Sequence, residues 1–253
     1  MHHYNTQGIV LRVSHFGDRD KLLTVLTKER GKIRVLAKGA TSLTSRRSPY
    51  LDLMHHNVFY LSGGGLPIVV DLKPVAGFNG LRNSLPHIAQ LYLVGELVDR
   101  FLAEEVENPR IFDHLEEFLF ELGENPRIGV YSKNLLRFEL LLLRELGFSP
   151  ELEVCLKCRG SLCPEGLRFS VSGGGVLCGR CAPASLDVGF PLSSTALKVM
   201  RFVLEESSQR LRALTLSPHV RDEIHLVLSN YLEWLLENRV GSLSFLDLVR
   251  VDG

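Results

Sequence analysis

Residues 8–37 read GIVLRVSHFGDRDKLLTVLTKERGKIRVLA, and the pattern of this segment predicts the fold of the amino-terminal part of the chain. Apolar and polar residues alternate in Gly8–Ser14 and in Lys32–Ala37, and this period of two is typical of β-strands. Lys21–Thr27 lies between them and is richer in apolar residues, while Glu29-Arg30-Gly31 forms a compact turn. The pattern therefore predicts three consecutive short strands.

Two further segments extend this β-rich region. Leu51–Leu61 and Leu66–Val75 are predicted as strands joined by the glycine-rich turn at residues 62–65, and Gly39–Pro49 as a long polar loop. Five short strands separated by turn signals indicate a small antiparallel barrel or sandwich. Together with one long basic loop, they fit the oligonucleotide-binding (OB) fold, whose barrel face and loops bind single strands.

After Phe78 the apolar residues recur at helical spacing. Helices are predicted at about residues 88–102, 109–122, 129–146, 194–207 and 218–238, with a short apolar tail at 243–249. The expected fold class is therefore α+β and multidomain: an N-terminal OB-fold barrel, a helical domain and an inserted four-cysteine zinc knuckle. The predicted segments are 1–79 (barrel), 80–152 (helical, first part), 153–186 (zinc-binding) and 187–253 (helical, second part).

Four of the five cysteines form two C-x2-C pairs separated by nineteen residues. Two thiolates separated by two intervening residues can both approach a tetrahedral metal at roughly 2.3 Å from one tight turn. The interval between the pairs is typical of four-thiolate zinc sites. We predict one structural Zn²⁺ per chain, bound by Cys155, Cys158, Cys178 and Cys181, with Cys163 as a spare.

Other roles for the cysteines are less consistent with the sequence. Disulfides are disfavoured because the amino terminus lacks a secretory signal, and a catalytic zinc keeps only three protein ligands and an open position. A redox pair of the thioredoxin type is an alternative, although two C-x2-C motifs one hairpin apart fit a metal better. No stretch approaches the roughly 18 apolar residues of a membrane span, so a cytoplasmic location without membrane partners is expected.

Positive charge is concentrated near the amino terminus. Residues 1–47 hold ten Lys or Arg against three Asp or Glu, a net charge of +7, whereas the other 206 residues carry 19 basic and 26 acidic groups. This segregation indicates that one region meets a polyanion, the alternative being that exposed strands simply present cations to water. The candidate DNA-binding residues are Lys28, Arg30, Lys32, Arg34, Lys38, Arg46 and Arg47. The candidate base-stacking residues are Phe16, Phe59 and Tyr60.

Motifs for covalent chemistry are missing from the sequence. It contains no phosphate-binding G-x-x-x-x-G-K-[ST], no H-E-x-x-H and no G-x-S-x-G. The adjacent acids Glu104-Glu105 and Glu116-Glu117 are interpreted as solvent-exposed faces of helices. We therefore predict a protein that acts by binding and is not an enzyme.

Several motifs together resemble a known family. GIVLR at 8–12, DKLLTVLT at 20–27 and GKIRVLAKG at 31–39 are similar to the start of the bacterial DNA repair protein RecO family. RFELLLLRELGF at 137–148, followed by the two C-x2-C pairs, is also similar to that family, and the resemblance covers the chain in the same order. It implies an OB-fold barrel, a helical domain and a zinc-bearing segment.

The resemblance also implies a function and partners. Members of this family bind single- and double-stranded DNA, anneal complementary strands and, with RecR, help to load RecA, which places them in the cytoplasm with the nucleoid. The resemblance implies capture of the C-terminal tail of single-strand-binding protein beside Arg137, and we add Lys133 and Arg144 on the same helical face. The alternatives are a water-facing stripe for these three cations, and, for the protein, an adaptor that binds only other proteins or a zinc-ribbon protein associated with RNA or transcription.

Overall fold

The computed structural model describes residues 3–42, 45–76, 81, 84–124, 129–184 and 189–251. The chain forms two compact units, residues 1–130 with 244–253 and residues 131–243. Two of the predicted segment boundaries, after residues 79 and 186, lie outside the described residues. The predicted division into four segments stays a prediction.

The first unit contains a closed barrel of five strands. They are β1 (His3–Phe16), β2 (Asp20–Thr27), β3 (Gly31–Ala37), β4 (His56–Ser62) and β5 (Ile68–Ala76). Their order around the barrel is β1-β2-β3-β5-β4, with antiparallel pairing everywhere except between β3 and β5, which meet in parallel at Leu36 and Ile68. The predicted fold class is thereby confirmed.

Strand β1 pairs with both β4 and β2, and its pairing with β2 shifts register between Val10 and Arg12. Its first half pairs with β4 and its second half with β2. Gly8 lies where the two pairings meet, and a Cβ there would lie 2.5 Å from Val25 Cγ1. The interior is filled by apolar residues from all five strands: Val10, Leu23, Val25, Ile33, Val35, Phe59, Leu61 and Val69.

The predicted start of the fourth strand was wrong. Residues 48–50 form a short 3-10 turn, and Met54 has a positive φ of 58°, so the chain cannot be extended before His56. Leu51 and Met54 are buried nevertheless. The apolar residues from residue 51 onward therefore indicated burial and not a β-strand.

Two helices pack beside the barrel in the first unit, α1 (Leu85–Phe101) and α2 (Pro109–Gly123). The second begins with Asn108 at the cap position and Pro109 in the first turn, as predicted. Gly95 allows α1 to approach β1 closely, because a Cβ there would lie 3.1 Å from the carbonyl oxygen of Leu11.

The second unit is mainly helical, with α3 (Lys133–Glu145), α4 (Ser194–Glu205), α5 (Ser208–Leu211) and α6 (Pro218–Leu235); α7 (Gly241–Val251) follows. Helix α3 begins four residues later than predicted, because the Ser132 side chain accepts a hydrogen bond from the Leu135 N–H and caps the helix there. The apolar tail predicted at 243–249 is part of α7. No helix among the described residues is long and apolar enough to cross a membrane.

A small sheet accompanies these helices. The predicted hairpin is present as β6 (Arg168–Ser170) and β7 (Gly175–Leu177), and a third strand, β8 (Phe190–Pro191), pairs with the other side of β6. The sequence did not indicate β8, which has only two residues. The sheet carries the cysteine segment on its β7 side, where Leu156 N–H donates to the Val176 carbonyl.

Candidate metal centre and nucleic-acid interface

The first C-x2-C pair lies in a tight turn. The Cys155 N–H donates to the Gly160 carbonyl and the Arg159 N–H donates to the Cys155 carbonyl, each over 2.9 Å. Arg159 adopts a positive φ of 55° to close this turn. Both thiols of the pair therefore project from one short loop.

The second pair follows β7 directly. The N–H groups of Cys181 and Ala182 both donate to the Cys178 carbonyl over 2.9 Å. Gly179 lets the chain pass residue 165, because a Cβ there would lie 2.5 Å from the Glu165 carbonyl oxygen. The hairpin thus brings the second turn against the first.

The four Sγ atoms of Cys155, Cys158, Cys178 and Cys181 lie within 4.8 Å of one another. The Sγ atoms of Cys158 and Cys178 are 3.9 Å apart. A tetrahedral metal with bonds of about 2.3 Å requires sulfur–sulfur separations of about 3.8 Å, so the four atoms fit such an ion. Cys155 and Cys178 are buried, Cys181 is half-buried and Cys158 is exposed.

The charge state of these thiols also favours a cation. Burial opposes ionisation of Cys155, but backbone hydrogen bonds from Cys158, Cys178 and Lys157 outweigh it and lower the Cys155 pKa to about 6. A backbone hydrogen bond from Cys181 likewise lowers the pKa of Cys178. Burial and the neighbouring thiols raise the pKa of Cys181 to about 12. All four become thiolates together only if a positive ion compensates their charge.

The cysteine cluster can therefore hold a metal ion, as the spacing predicted. Cys163 is exposed and is not one of the four clustered cysteines. Apolar residues pack around the cluster, among them Leu177, Ala182, Leu156 and Leu162. With four protein ligands the coordination shell would be closed, which is typical of a structural site and leaves no position for a substrate.

Three of the predicted DNA-binding cations are paired with acids from the helical part of the same unit. Lys28 Nζ lies 2.8 Å from Asp113 Oδ1, and this hydrogen bond raises the pKa of Lys28. Arg34 Nε lies 3.0 Å from Glu104 Oε1. Lys32 is buried, and its ammonium group binds both the side chain and the carbonyl of Asp99. Its burial leaves Lys32 without a group to offer to a phosphate.

The other four predicted cations divide into two groups. Arg47 binds the barrel backbone, because its guanidinium donates to the carbonyls of Val69 and Val70 in β5. Arg30 is exposed and lies over the ring of Tyr4 at 4.2 Å. Lys38 and Arg46 are exposed, and neither forms an ion pair with another described residue. The cations that remain accessible without a competing acid are therefore Arg30, Lys38 and Arg46.

A cleft of about 720 Å³ opens on the face formed by β1, β2 and β3. Its floor includes Leu22 and Ile33, and its rim includes the β4–β5 loop at residues 63–67. Arg30 and Arg34 line it, as do the rings of Tyr4 and Phe16, the latter 46% exposed. Of the predicted stacking residues, Phe59 is buried in the barrel core, so only Phe16 and Tyr60 present rings to solvent.

Three acids in this cleft were missed by the sequence analysis. Glu104, Glu105 and Glu107 line it, and they lie in the connection between α1 and α2. Glu104 and Glu105 are solvent-exposed, as interpreted, but their predicted placement on a helix was wrong. Their acidic character is visible in the sequence, but no local pattern indicates that the connection returns to β3.

The three cations predicted on α3 all contact backbone within the second unit. Lys133 Nζ donates to the carbonyls of Arg212 and Leu214 over 2.7 and 3.0 Å. Arg137 donates to the carbonyls of Val203 and Glu206, and Arg144 donates to that of Leu204. The carbonyls of Val203, Leu204 and Glu206 lie at the end of α4, where the last carbonyls of a helix lack partners within it, so Arg137 and Arg144 help to cap α4.

Comparison with known families gives matches to both parts of the chain. The family model described as "Recombination protein O N terminal" matches residues 1–78. The one described as "Recombination protein O C terminal" matches residues 82–244. The first match covers the barrel, and the second covers the cysteine cluster and most of the helices.

Full-length relatives agree with these matches. The chain is similar to a protein of Roseiflexus sp. named DNA repair protein RecO, with 37% identity over 98% of this chain and 86% of the relative. It is 35% identical to the protein of the same name from Symbiobacterium thermophilum, over 98% of both chains. It is 30% identical to that of Dehalococcoides mccartyi over 99% of this chain and 97% of the relative.

Proposed function

The chain belongs to the RecO family of DNA repair and recombination proteins, and from this we propose that it is a recombination mediator. It binds single- and double-stranded DNA, anneals complementary strands and helps RecR to load RecA. Annealing requires no covalent chemistry, and we propose that the protein is not an enzyme. The observation that carries the DNA-binding part is the cleft on the barrel face, which combines Arg30 and Arg34 with the exposed ring of Phe16 and the partly buried ring of Tyr4.

The proposed DNA contacts are the accessible cations of the first unit. Arg30 lies in the cleft, Lys38 directly follows β3, and Arg46 lies in the connection between β3 and β4. Arg34 also lines the cleft but is paired with Glu104. Cations at these positions bind phosphates by releasing condensed counterions, without regard to sequence. Phe16 is placed to stack on an unpaired base, since stacking is tolerant of base identity. Lys32 and Arg47 are left out of this set, because Lys32 is buried against Asp99 of α1 and Arg47 is bound to carbonyls of β5.

We further propose that the metal is one structural Zn²⁺ held by Cys155, Cys158, Cys178 and Cys181. Four thiolates in a closed shell are typical of zinc. The ion would fix the two turns and the hairpin between them. It takes no part in a reaction.

Capture of the C-terminal tail of single-strand-binding protein at α3 remains a proposal. The chemistry required is a cation beside an apolar groove. Arg144 is the most accessible of the three candidate cations, with 45% of its side chain exposed. Arg144→Gln should weaken binding of an acidic tail peptide at least several-fold and leave binding to naked DNA unchanged. An unchanged peptide affinity would remove Arg144 from this site.

The proposed function is tested by titrating a fluorescent single strand at several salt concentrations. The key variant combines Arg30→Gln, Lys38→Gln and Arg46→Gln. Each lost phosphate contact flattens the slope of log affinity against log salt by about 0.7, so the combined change should approach about two. The matched control removes the same charge from the second unit through Lys198→Gln, Arg210→Gln and Arg239→Gln.

Two outcomes would contradict the proposal in different ways. If the triple variant and its control have the same slope, the DNA site lies elsewhere. If the unmodified protein shows no salt-dependent DNA binding, the mediator function is wrong and the protein is an adaptor between proteins.

A further inference from the structure

The connection between α1 and α2 crosses the barrel as an acidic strap, defined here as residues 104–107 (Glu-Glu-Val-Glu). Glu104 forms a parallel bridge with Lys32 of β3, and the Glu105 N–H donates to the Lys32 carbonyl over 2.8 Å. The strap also packs closely against the start of β3, since a Cβ on Gly31 would lie 2.0 Å from the Val106 carbonyl oxygen. Backbone contacts therefore fix the strap.

The position of the strap follows from the barrel topology. Strand β3 pairs with β2 along its whole length but with β5 only at Leu36. The first half of β3 consequently has a free edge, and the strap occupies it. The carboxylates of Glu104, Glu105 and Glu107 are thereby built into the wall of the cleft.

Glu104 has a direct effect on one of the two cleft arginines. Its carboxylate lies 3.0 Å from Arg34 Nε, and both side chains are about half exposed, at 50% and 52%. An ion pair this exposed is weak and is screened by salt. A phosphate can therefore displace the Glu104 carboxylate from Arg34, but only in competition with it.

We propose that the acidic strap is a built-in competitor for phosphate, and that Glu104 sets the affinity of the cleft for a DNA strand by masking Arg34. The inference rests on the proposed DNA-binding function and adds a residue that limits it. Holding the strap in place does not require the Glu104 side chain, because backbone contacts of residues 104–106 already do so. Because Glu104 competes with phosphate for Arg34, a bound DNA strand can dissociate again, which annealing requires.

The test is a double-mutant cycle between Glu104 and Arg34, measured with a fluorescent oligothymidine strand across a range of salt concentrations. Glu104→Gln should tighten binding at low salt by about three- to tenfold and steepen the salt slope by about 0.7, the value for one further phosphate contact. Arg34→Gln alone should change affinity less than twofold, since this arginine is already masked. The double variant should resemble Arg34→Gln.

The matched control is Glu124→Gln, which removes an exposed carboxylate from the end of α2, outside the cleft. Thermal unfolding of every variant verifies that the barrel stays intact. The inference is overturned if Glu104→Gln behaves like Glu124→Gln, or if its gain survives in the double variant, since the gain would then reflect net charge alone. An unmodified protein that does not bind the strand at all would instead refute the proposed function.

Discussion

The cysteine cluster and the basic barrel surface were both predicted from residue type and spacing, but only the cysteines come together as one site in the structure. The four cysteines converge to within 4.8 Å. The seven barrel cations separate into three that pair with acids, one that binds carbonyl groups of β5 and three that remain accessible. Ligands with two residues between them share a turn and are positioned locally, whereas the partner of a surface charge can be a residue distant in sequence.

The largest effect is expected from removing one thiolate of the cysteine cluster. Cys178→Ser should reduce bound zinc from one per chain to a small fraction, because it opens a closed shell. It should also destabilise the second unit by several kcal/mol, on the order of 3 or more, since metal binding and folding of such sites are coupled. Metal analysis and thermal unfolding measure the two effects. Cys163→Ser is the control and should change neither. Full zinc content in Cys178→Ser would show that the predicted site does not hold the ion.

The buried carboxyl of Glu139 is a second group whose partner, Tyr131, is close in sequence. Burial raises the pKa of Glu139 to about 8, against the smaller opposing effect of a 2.5 Å hydrogen bond from the Tyr131 hydroxyl. The folded protein therefore keeps this proton up to about pH 8, whereas the unfolded chain loses it near pH 4.5. The free energy of unfolding should fall as pH rises through this window, by as much as about 1.4 kcal/mol per pH unit.

Glu139→Gln should remove that dependence, because the amide is neutral and can still accept the Tyr131 hydrogen bond. Chemical denaturation at several pH values between 5 and 8 measures it. Glu205→Gln, an exposed carboxyl in the same unit, is the control and should keep the slope. A slope that persists in Glu139→Gln would have to come from another group.

Two glycines with the same φ give the smallest expected effect and separate local strain from a distant contact. Gly31 and Gly39 both have φ of 64°, but only Gly31 faces another segment, the backbone of Val106. Gly39→Ala should cost about 1 kcal/mol from the left-handed backbone alone. Gly31→Ala should cost roughly 2–3 kcal/mol, because the strap must also move. Urea denaturation measures the free energy of unfolding of both variants. Equal losses would mean that the strap moves away from residue 31 at no cost in free energy.

Most of the fold was predictable because each element has a local signal. Alternation gave the strands, and Asn108 with Pro109 marked the start of α2. The errors arose where local signals were weak or ambiguous. Strand β8 has two residues and exists only through its pairing with β6, and the apolar residues after Leu51 are buried without being extended.

The cysteine cluster was predictable in the same way, while the basic surface of the barrel was predictable only as a region. Nothing near Lys28 or Lys32 in sequence indicates Asp113 or Asp99, because these acids reach the barrel from helices that fold against it. The charge count of the first 47 residues therefore overstated the positive field of the barrel. A net charge describes a segment, whereas binding depends on which cations are left without a partner.

The shared strand β1 has a consequence for the order in which the barrel can form. Its pairing with β2, and that of β2 with β3, joins residues close in sequence, so these three strands can assemble as soon as residue 37 is available. Its pairing with β4 joins His3 to Ser62 and closes a much longer loop. Long-range pairing of this kind is slow, because the entropy of loop closure is lost before contacts compensate for it. We therefore expect closure of the barrel to be the late step of its folding. Until then, both edges of the three-stranded sheet β1–β3 are exposed to other chains.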